Sequence, residues 1–196
     1  MRYVSQEKIE EASSAINSGD ILAVPTESFY SIVAKQDNIE AIRKLLDIKN
    51  SQIDRAKAMT LLLPDVDSIK DYAFTNREAL NLARHYLPGE LTLILPKRRA
   101  LKHPYFNHFE SVEVRVPEHP YLLKLLHSTG PLLAISAHAR NQKPCKSSND
   151  IAKVFPSVDC IVDGESGGNI PPTVVDWTGS EPIPIRQGGL LIVRYA

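Results

Sequence analysis

Residues 24–35, VPTESFYSIVAK, place a dense set of polar side chains directly after an apolar segment. The preceding residues 21–25, ILAVP, predict a buried strand that ends at Pro25, because proline cannot continue regular strand pairing. Four hydrogen-bonding residues then follow in five positions: Thr26, Glu27, Ser28 and Tyr30. In open α/β sheets, ligands bind where strands end and where loop amides and side chains converge. The stretch therefore predicts a binding site at the end of a core strand.

The composition is that of an ordinary globular protein without a strong bias toward one kind of partner. The 196 residues include 23 basic and 23 acidic side chains, so the net charge gives no dominant nucleic-acid footprint. No apolar run approaches the ~18 residues that a membrane span needs, and the N-terminus lacks the apolar core of a secretory signal. The only cysteines, Cys145 and Cys160, suit neither a disulfide framework nor a metal site. We therefore expect a cytoplasmic protein.

The charges are unevenly distributed along the chain. Basic residues cluster at 97–102 and at 140–146, whereas residues 159–181 carry carboxylates and no lysine or arginine. Two interpretations remain open: charged loops that only keep the protein soluble, or a basic rim beside a polyanionic ligand.

Helical and strand patterns alternate along the whole chain. We predict helices at 5–18, 38–49, 75–86, 119–128 and 148–155, with Thr75 and Ser148 as N-caps. Strands are predicted at 21–25, 59–63, 91–95, 111–117, 131–136, 158–162, 173–177, 183–186 and 190–195. In SVEVRVP, residues 111–117, the valines face one way and Glu113 and Arg115 the other. The order predicts one α/β domain over residues 1–196, built on an open, twisted, mixed sheet with flanking helices.

Several predicted strands also end in isolated polar groups. These groups are Arg115, Ser136 with His138, and Arg186, in addition to the residues from Thr26 to Tyr30. Alone, such an arginine more often pairs with a carboxylate, and such a serine is usually a turn residue. Together they indicate a ligand site. No Walker loop, dinucleotide-binding glycine motif, zinc spacing or G-x-S-x-G elbow is present to explain them.

Seven segments resemble, in order, the motifs of the YrdC-like family, the threonylcarbamoyl-adenylate synthases. The first is PTESFYSIVAK, which is similar to P-T-E-T/S-x-Y-G-L-G. The others are IKNSQ (48–52), LPGELTLIL (87–95), VRVPEHP (114–120), ISAHARNQKP (135–144), PPTVVDW (171–177) and IRQGG (185–189). Taken in the same order, these six segments are similar to the family motifs I-K-x-R-P, W-P-G-P-L-T-L-V-L, V-R-x-P-x-H-P, T-S-A-N-x-S-G-x-P, P-S-T-V-V-D and L-R-x-G-A. Each motif is loose, but seven at matching spacings over nearly the whole chain are specific.

The resemblance implies a YrdC-like α/β fold with a concave, positively charged face, and it implies a reaction. Family members condense L-threonine, bicarbonate and ATP, with Mg²⁺, into threonylcarbamoyl-AMP and pyrophosphate. A downstream threonylcarbamoyl transferase complex then uses this product to modify tRNA. Some relatives bind tRNA or double-stranded RNA on the concave face. Larger members carry a further C-terminal domain, which we do not expect in this chain.

The resemblance also implies roles for single residues. Lys49, Ser111, Ser136, His138 and Arg186 would bind ATP, and Lys49 and Arg186 would be catalytic. Arg115 would hold the threonine carboxylate, since a guanidinium fork fits a planar anion. Thr26, Tyr30 and Thr173 would line the amino-acid pocket, to which Thr92 is a weaker candidate. No residue is predicted to ligate a metal.

The chain departs from the family motifs at several predicted ligand contacts. The arginine of K-x-R is Ser51, with Arg55 and Lys57 as nearby substitutes, and two glycines are Ser31 and Val33. The asparagine of S-A-N is His138, and the serine before T-V-V-D is Pro172. The alternatives are therefore a YciO-like paralogue without threonine-specific synthase activity or an RNA-binding module without chemistry. Carbamoyl-adenylate chemistry, as in hydrogenase-maturation proteins with this domain, is disfavoured because their accompanying modules are missing.

Overall fold

The computed structural model describes residues 1–53, 58–101 and 104–192. Ten strands in this part of the chain form one sheet, in the order β1-β8-β2-β3-β7-β4-β6-β5-β9-β10. They are Arg2–Val4 (β1), Leu22–Val24 (β2), Ser31–Lys35 (β3), Thr60–Leu62 (β4), Leu91–Pro96 (β5), Ser111–Arg115 (β6), Leu132–Ser136 (β7), Cys160–Val162 (β8), Thr173–Asp176 (β9) and Ile183–Arg186 (β10). Parallel and antiparallel pairs both occur, which confirms the predicted mixed α/β sheet. That residues 1–196 are a single domain stays a prediction.

Six α-helices connect the described strands. They are Ile9–Ser18 (α1), Ile39–Gln52 (α2), Ile69–Tyr72 (α3), Arg77–Tyr86 (α4), Pro120–Thr129 (α5) and Ser148–Val154 (α6), and a 3-10 helix spans Pro104–His108. Apolar side chains of α1 and α5 form one core layer, and those of α2, α4 and α6 belong to a second. No helix among the described residues has the length and apolar character needed to cross a bilayer.

Two helices begin one residue away from the predicted caps. The cap of α4 is Asn76 instead of Thr75, because the Asn76 side chain accepts a hydrogen bond of 2.7 Å from the Ala79 amide. The cap of α6 is Ser147 instead of Ser148, and it forms a reciprocal capping box with Asp150. The first helix is also shorter than predicted, since it begins at Ile9.

The stretch at residues 24–35 is the bend and second strand of a β-hairpin. Strand β3 was not predicted; it pairs with β2 through Val24 and Ser31, and with β7 through Ser31 and Ser136. Strand β1, at the sheet edge, was also missed. The last predicted strand, 190–195, is not a strand at residues 190–192, and its remainder lies outside the described residues.

The helices leave half of one sheet face uncovered. Paired residues on neighbouring strands point to the same side of a sheet. Ala134 of β7 belongs to the core layer beneath α1 and α5. It pairs with Thr60 of β4, which in turn pairs with Glu113 of β6, so all three point to the same side of the sheet. Thr60 and Glu113 are not covered by a helix but line a cavity. The uncovered half, from β4 to β10, therefore forms the floor of a cleft.

Candidate active site

The cleft holds a cavity of about 1250 Å³. Its floor is formed by side chains of β4, β5, β6, β9 and β10, and its walls by the loops after β2 and β7 and the segment before β9. Ligand pockets commonly span roughly 300–1,000 Å³. The cavity is therefore large enough to hold a nucleotide and a small second substrate together.

Arg115 is a buried cation in the floor of this cavity. Its side chain is 9% exposed, and its Nη2 donates to Glu27 Oε1 at 2.5 Å. Its Nε donates to the Gly89 carbonyl at 3.2 Å, whereas Nη1 makes no hydrogen bond to any described residue. The same Glu27 oxygen accepts from the Glu118 amide at 3.0 Å. Arg115 is therefore fixed in place with one donor group left over for a ligand.

Arg186 lies on the opposite side of the floor, in β10. Its Nε and Nη2 both donate to the Pro172 carbonyl, at 3.0 and 2.9 Å. Gly188 allows the chain to pass close to this segment, because a Cβ at Gly188 would clash with the Pro171 carbonyl oxygen. Pro172, one of the departures from the family motif, thus supplies the acceptor that orients Arg186.

The floor also carries a carboxylate, Glu113, two residues before Arg115 on β6. It accepts a hydrogen bond of 3.1 Å from the Thr60 hydroxyl. Burial raises the pKa of Glu113, whereas the hydrogen bond from Thr60 and the charge of Arg186 oppose that rise. Burial also lowers the pKa of Arg186, against the effect of Glu113. Glu113 was assigned no role from the sequence, although its alternation with the β6 valines already placed it on the Arg115 face.

Ser136 and His138 line the cavity wall at the end of β7. Ser136 is exposed to the cavity, and the His138 ring nitrogen Nε2 lies 2.8 Å from the Gln142 carbonyl oxygen. The predicted ATP-binding residues Ser136, His138 and Arg186 therefore share one cavity with Arg115 and Thr92. Their roles in binding stay predictions.

Thr26 and Tyr30 are not among the residues that line this cavity, and their roles in the amino-acid pocket stay predictions. The Thr26 hydroxyl donates to the Phe29 carbonyl at 2.6 Å and accepts from the Ser28 amide at 3.1 Å. The buried Tyr30 hydroxyl donates to the carbonyls of Val162 and Gly164, at 2.9 and 2.8 Å. Burial raises the pKa of Tyr30, and nearby acidic residues add to the rise. Both side chains support the hairpin behind the wall.

Replacing Tyr30 by phenylalanine is expected to reduce the free energy of unfolding by about 1–3 kcal/mol, because the Val162 and Gly164 carbonyls lose the single hydroxyl hydrogen that they share. Urea denaturation measures the loss, and calorimetry with L-threonine serves as the control. A variant with wild-type stability but weaker threonine binding would instead support the predicted place of Tyr30 in the amino-acid pocket.

Thr173 and Ser111 also lie outside the cavity lining. The Thr173 hydroxyl donates to the Leu190 carbonyl at 2.6 Å and accepts from the Gly188 amide at 2.9 Å. Its neighbour Val174 faces the cavity, so Thr173 points to the other side of β9. Ser111 lies at the start of β6, beyond the part of the strand that reaches the cavity.

Lys49 lies in the last turn of α2, is 5% exposed and does not line the cavity. The helix continues through Ser51, whose hydroxyl donates to the Asp47 carbonyl at 2.6 Å. The suggested substitutes for the missing arginine, Arg55 and Lys57, lie outside the described residues. A contact between Lys49 and ATP stays a prediction.

Basic side chains outnumber acidic ones in the cavity lining. The basic residues are Arg115, Lys143, Lys146 and Arg186, and the acidic ones are Glu113 and Asp150. Asp150 accepts from the Lys146 and Ser147 amides, and these contacts lower its pKa. The cluster at 140–146 thus contributes two lysines to the cavity. The described part of the cluster at 97–102 does not reach it, and Arg98 stacks instead over Phe74, at 4.2 Å.

Within the described ranges, no group of three or more histidine, cysteine, aspartate or glutamate residues could hold a metal ion.

A family model, curated relatives and solved structures all relate this chain to the same family. The Sua5/YciO/YrdC family model, described as "Telomere recombination", matches residues 14–188. A threonylcarbamoyl-AMP synthase of Photobacterium profundum is 28% identical over 188 residues, which cover 93% of this chain and 100% of the relative. The structure of Pyrococcus abyssi Sua5 complexed with L-threonine superposes with a TM-score of 0.85 at 28% identity, over 96% of this chain and 57% of Sua5. Escherichia coli YciO superposes with a TM-score of 0.85 at 25% identity, over 96% of this chain and 95% of YciO.

Proposed function

The chain belongs to the Sua5/YciO/YrdC family, and from that premise we propose that it is a threonylcarbamoyl-AMP synthase. It joins L-threonine, bicarbonate and ATP into threonylcarbamoyl-adenylate for the modification of tRNA. Relatives that bear the name of this synthase, and a family structure that holds L-threonine, support this function over the paralogue and RNA-binding alternatives. The enzyme transfers an adenylyl group and releases pyrophosphate.

One observation carries the proposal: a single cavity brings together two arginines and the Ser136–His138 wall. Arg115 is buried and retains the donor group Nη1, which suits the carboxylate of an amino acid. Arg186, Ser136 and the lysines of the wall suit a polyphosphate. The amino acid would then lie over β6, and the nucleotide would lie above it in the cleft, between the wall at the end of β7 and Arg186 on β10.

The reaction needs no covalent intermediate with the enzyme. The α-ammonium group of threonine first gives up a proton to solvent, and the neutral amine then attacks bicarbonate, which gives a carbamate and water. A carbamate oxygen then attacks the α-phosphorus of ATP, a new oxygen–phosphorus bond forms, and the bond to pyrophosphate breaks. The residues accelerate this step by alignment and by charge neutralisation, because the cavity presents fixed donors to both anions.

ATP is proposed to enter as its magnesium complex, in which the phosphates supply most of the metal coordination. Since the described residues provide no metal cluster, no step of the reaction is assigned to a protein-bound metal. The adenylate is reactive, so we place a downstream threonylcarbamoyl transferase complex as the consumer of the product, in the cytoplasm. We also propose that the protein can bind tRNA or double-stranded RNA.

Detection of the product tests the proposed function. Purified protein incubated with ATP, Mg²⁺, L-threonine and ¹³C-labelled bicarbonate is expected to form an adenylate that carries the label, as seen by mass spectrometry. L-Alanine in place of threonine is the control for amino-acid specificity. If wild-type protein forms no labelled adenylate with any amino acid, the synthase proposal is wrong.

A further inference from the structure

Glu113 is a cavity carboxylate to which the proposed reaction assigns no role. One of its oxygens, Oε2, accepts the hydrogen bond from the Thr60 hydroxyl. The other, Oε1, makes no hydrogen bond to a described residue, while the side chain lines the cavity. A largely buried carboxylate with an unused oxygen favours a ligand that donates hydrogen bonds and carries positive charge.

Arg115 offers the complementary group at a fixed distance. Glu113 and Arg115 lie two residues apart on β6 and face the same side, so their Cα atoms are about 6.6 Å apart at roughly 3.3 Å per residue. They form no ion pair with each other in the described structure, because Arg115 is turned toward Glu27 and Gly89. The floor thus presents an acceptor and a donor of opposite charge on the cavity face of β6.

This pair of groups matches one small chemical pattern. An α-amino acid carries a carboxylate and an ammonium group on the same carbon. The carboxylate would meet the remaining Nη1 of Arg115, and the ammonium group would meet Oε1 of Glu113. The phosphates of ATP do not suit this position, since a carboxylate repels them.

We infer that Glu113 binds the α-ammonium group of the amino-acid substrate while Arg115 binds its carboxylate. This assignment rests on the proposed function and adds a specificity-determining residue to it. It explains why a carboxylate is tolerated in a cavity otherwise suited to anions. Thr60 is the positioning residue, because its hydroxyl holds one oxygen of Glu113 and leaves the other directed to the substrate.

Glu113→Gln is the direct test, because glutamine keeps the size and can still accept from Thr60 but lacks the charge. L-Threonine binding, measured by calorimetry in the absence of ATP, is expected to weaken about 10–100-fold. A threonine analogue without the amino group, 3-hydroxybutyrate, should bind wild type and Glu113→Gln equally. Glu110→Gln removes an exposed carboxylate near the start of the same strand and should leave both affinities unchanged.

The outcomes separate this inference from the proposed function. If wild type binds threonine and Glu113→Gln binds it equally well, the ammonium assignment is wrong while the synthase proposal stands. A variant that instead needs more Mg²⁺, with threonine affinity unchanged, would assign Glu113 to the nucleotide and also overturn the inference. If wild type binds no amino acid, the proposed function is wrong, and the ammonium assignment that rests on it is wrong as well.

Discussion

Replacing Arg115 by alanine is expected to cost about 3–5 kcal/mol of folding free energy, more than any other single substitution in the cavity floor. The substitution leaves the half-buried Glu27 carboxylate, 15% exposed, without its cation. Glu27 Oε2 already has no hydrogen-bond partner among the described residues, so the remaining contact to the Glu118 amide cannot compensate. Urea denaturation measures the loss.

The control for this prediction removes both members of the ion pair. The double variant Arg115→Met with Glu27→Gln is expected to recover much of the stability, because no uncompensated charge remains in the wall. A loss below about 1 kcal/mol for Arg115→Ala would show that the pair is effectively solvated, and Arg115 would then not be held as described.

The same side chain is expected to account for threonine binding. Arg115→Lys keeps the charge but cannot form the same fork of hydrogen bonds, so it tests binding with less damage to the fold. In Arg115→Ala, which lacks the guanidinium altogether, we expect the free energy of threonine binding to weaken by about 2–4 kcal/mol and that of ATP binding to change much less. Calorimetry that shows equal losses for both ligands contradicts the assignment.

Replacing Arg186 by glutamine is expected to reduce kcat/KM for ATP about 10²-fold, the size of effect that follows the loss of one preorganised donor. The two hydrogen bonds to the Pro172 carbonyl fix the guanidinium before substrate arrives. Steady-state pyrophosphate release at saturating threonine measures the change. Arg186→Lys is the matched control, and it should recover part of the activity because it restores the charge without the fork.

An unchanged kcat/KM for ATP in Arg186→Gln would remove Arg186 from the nucleotide site. It would leave the contact to Pro172 as a purely structural feature of the sheet edge. The threonine affinity of this variant should stay near that of wild type, since Arg115 and Glu113 remain in place.

The sequence predicted the strands that form the cavity floor because their periodicity is local. In β6, valines alternate with Glu113 and Arg115, and the structure places both charged residues on the open face. The order of motifs predicted the family and the mixed sheet. It also predicted that Ser136, His138 and Arg186 share one site with Arg115.

Other details depended on contacts between distant parts of the chain. Both sides of β9 are mostly buried, so the pattern TVVD could not show that Val174 faces the cavity while Thr173 bonds Leu190. The family resemblance placed Tyr30 in the amino-acid pocket, and that role stays a prediction. The Tyr30 hydroxyl is satisfied by carbonyls more than 130 residues away, and no local pattern contains that information.

Lys49 lies in the last turn of α2, where the sequence predicted the end of a helix, and it is buried there. Its contact with ATP stays a prediction. Ser51, in the place of the family's arginine, is bonded to its own helix.

Pyrophosphate release from ATP, with threonine and bicarbonate each omitted in turn, tests the central claim most directly. We predict release only when ATP, threonine and bicarbonate are all present with Mg²⁺, and little release when either co-substrate is left out. Release that ignores threonine, or none under any condition, would contradict the claim that this cavity joins an amino acid to a nucleotide.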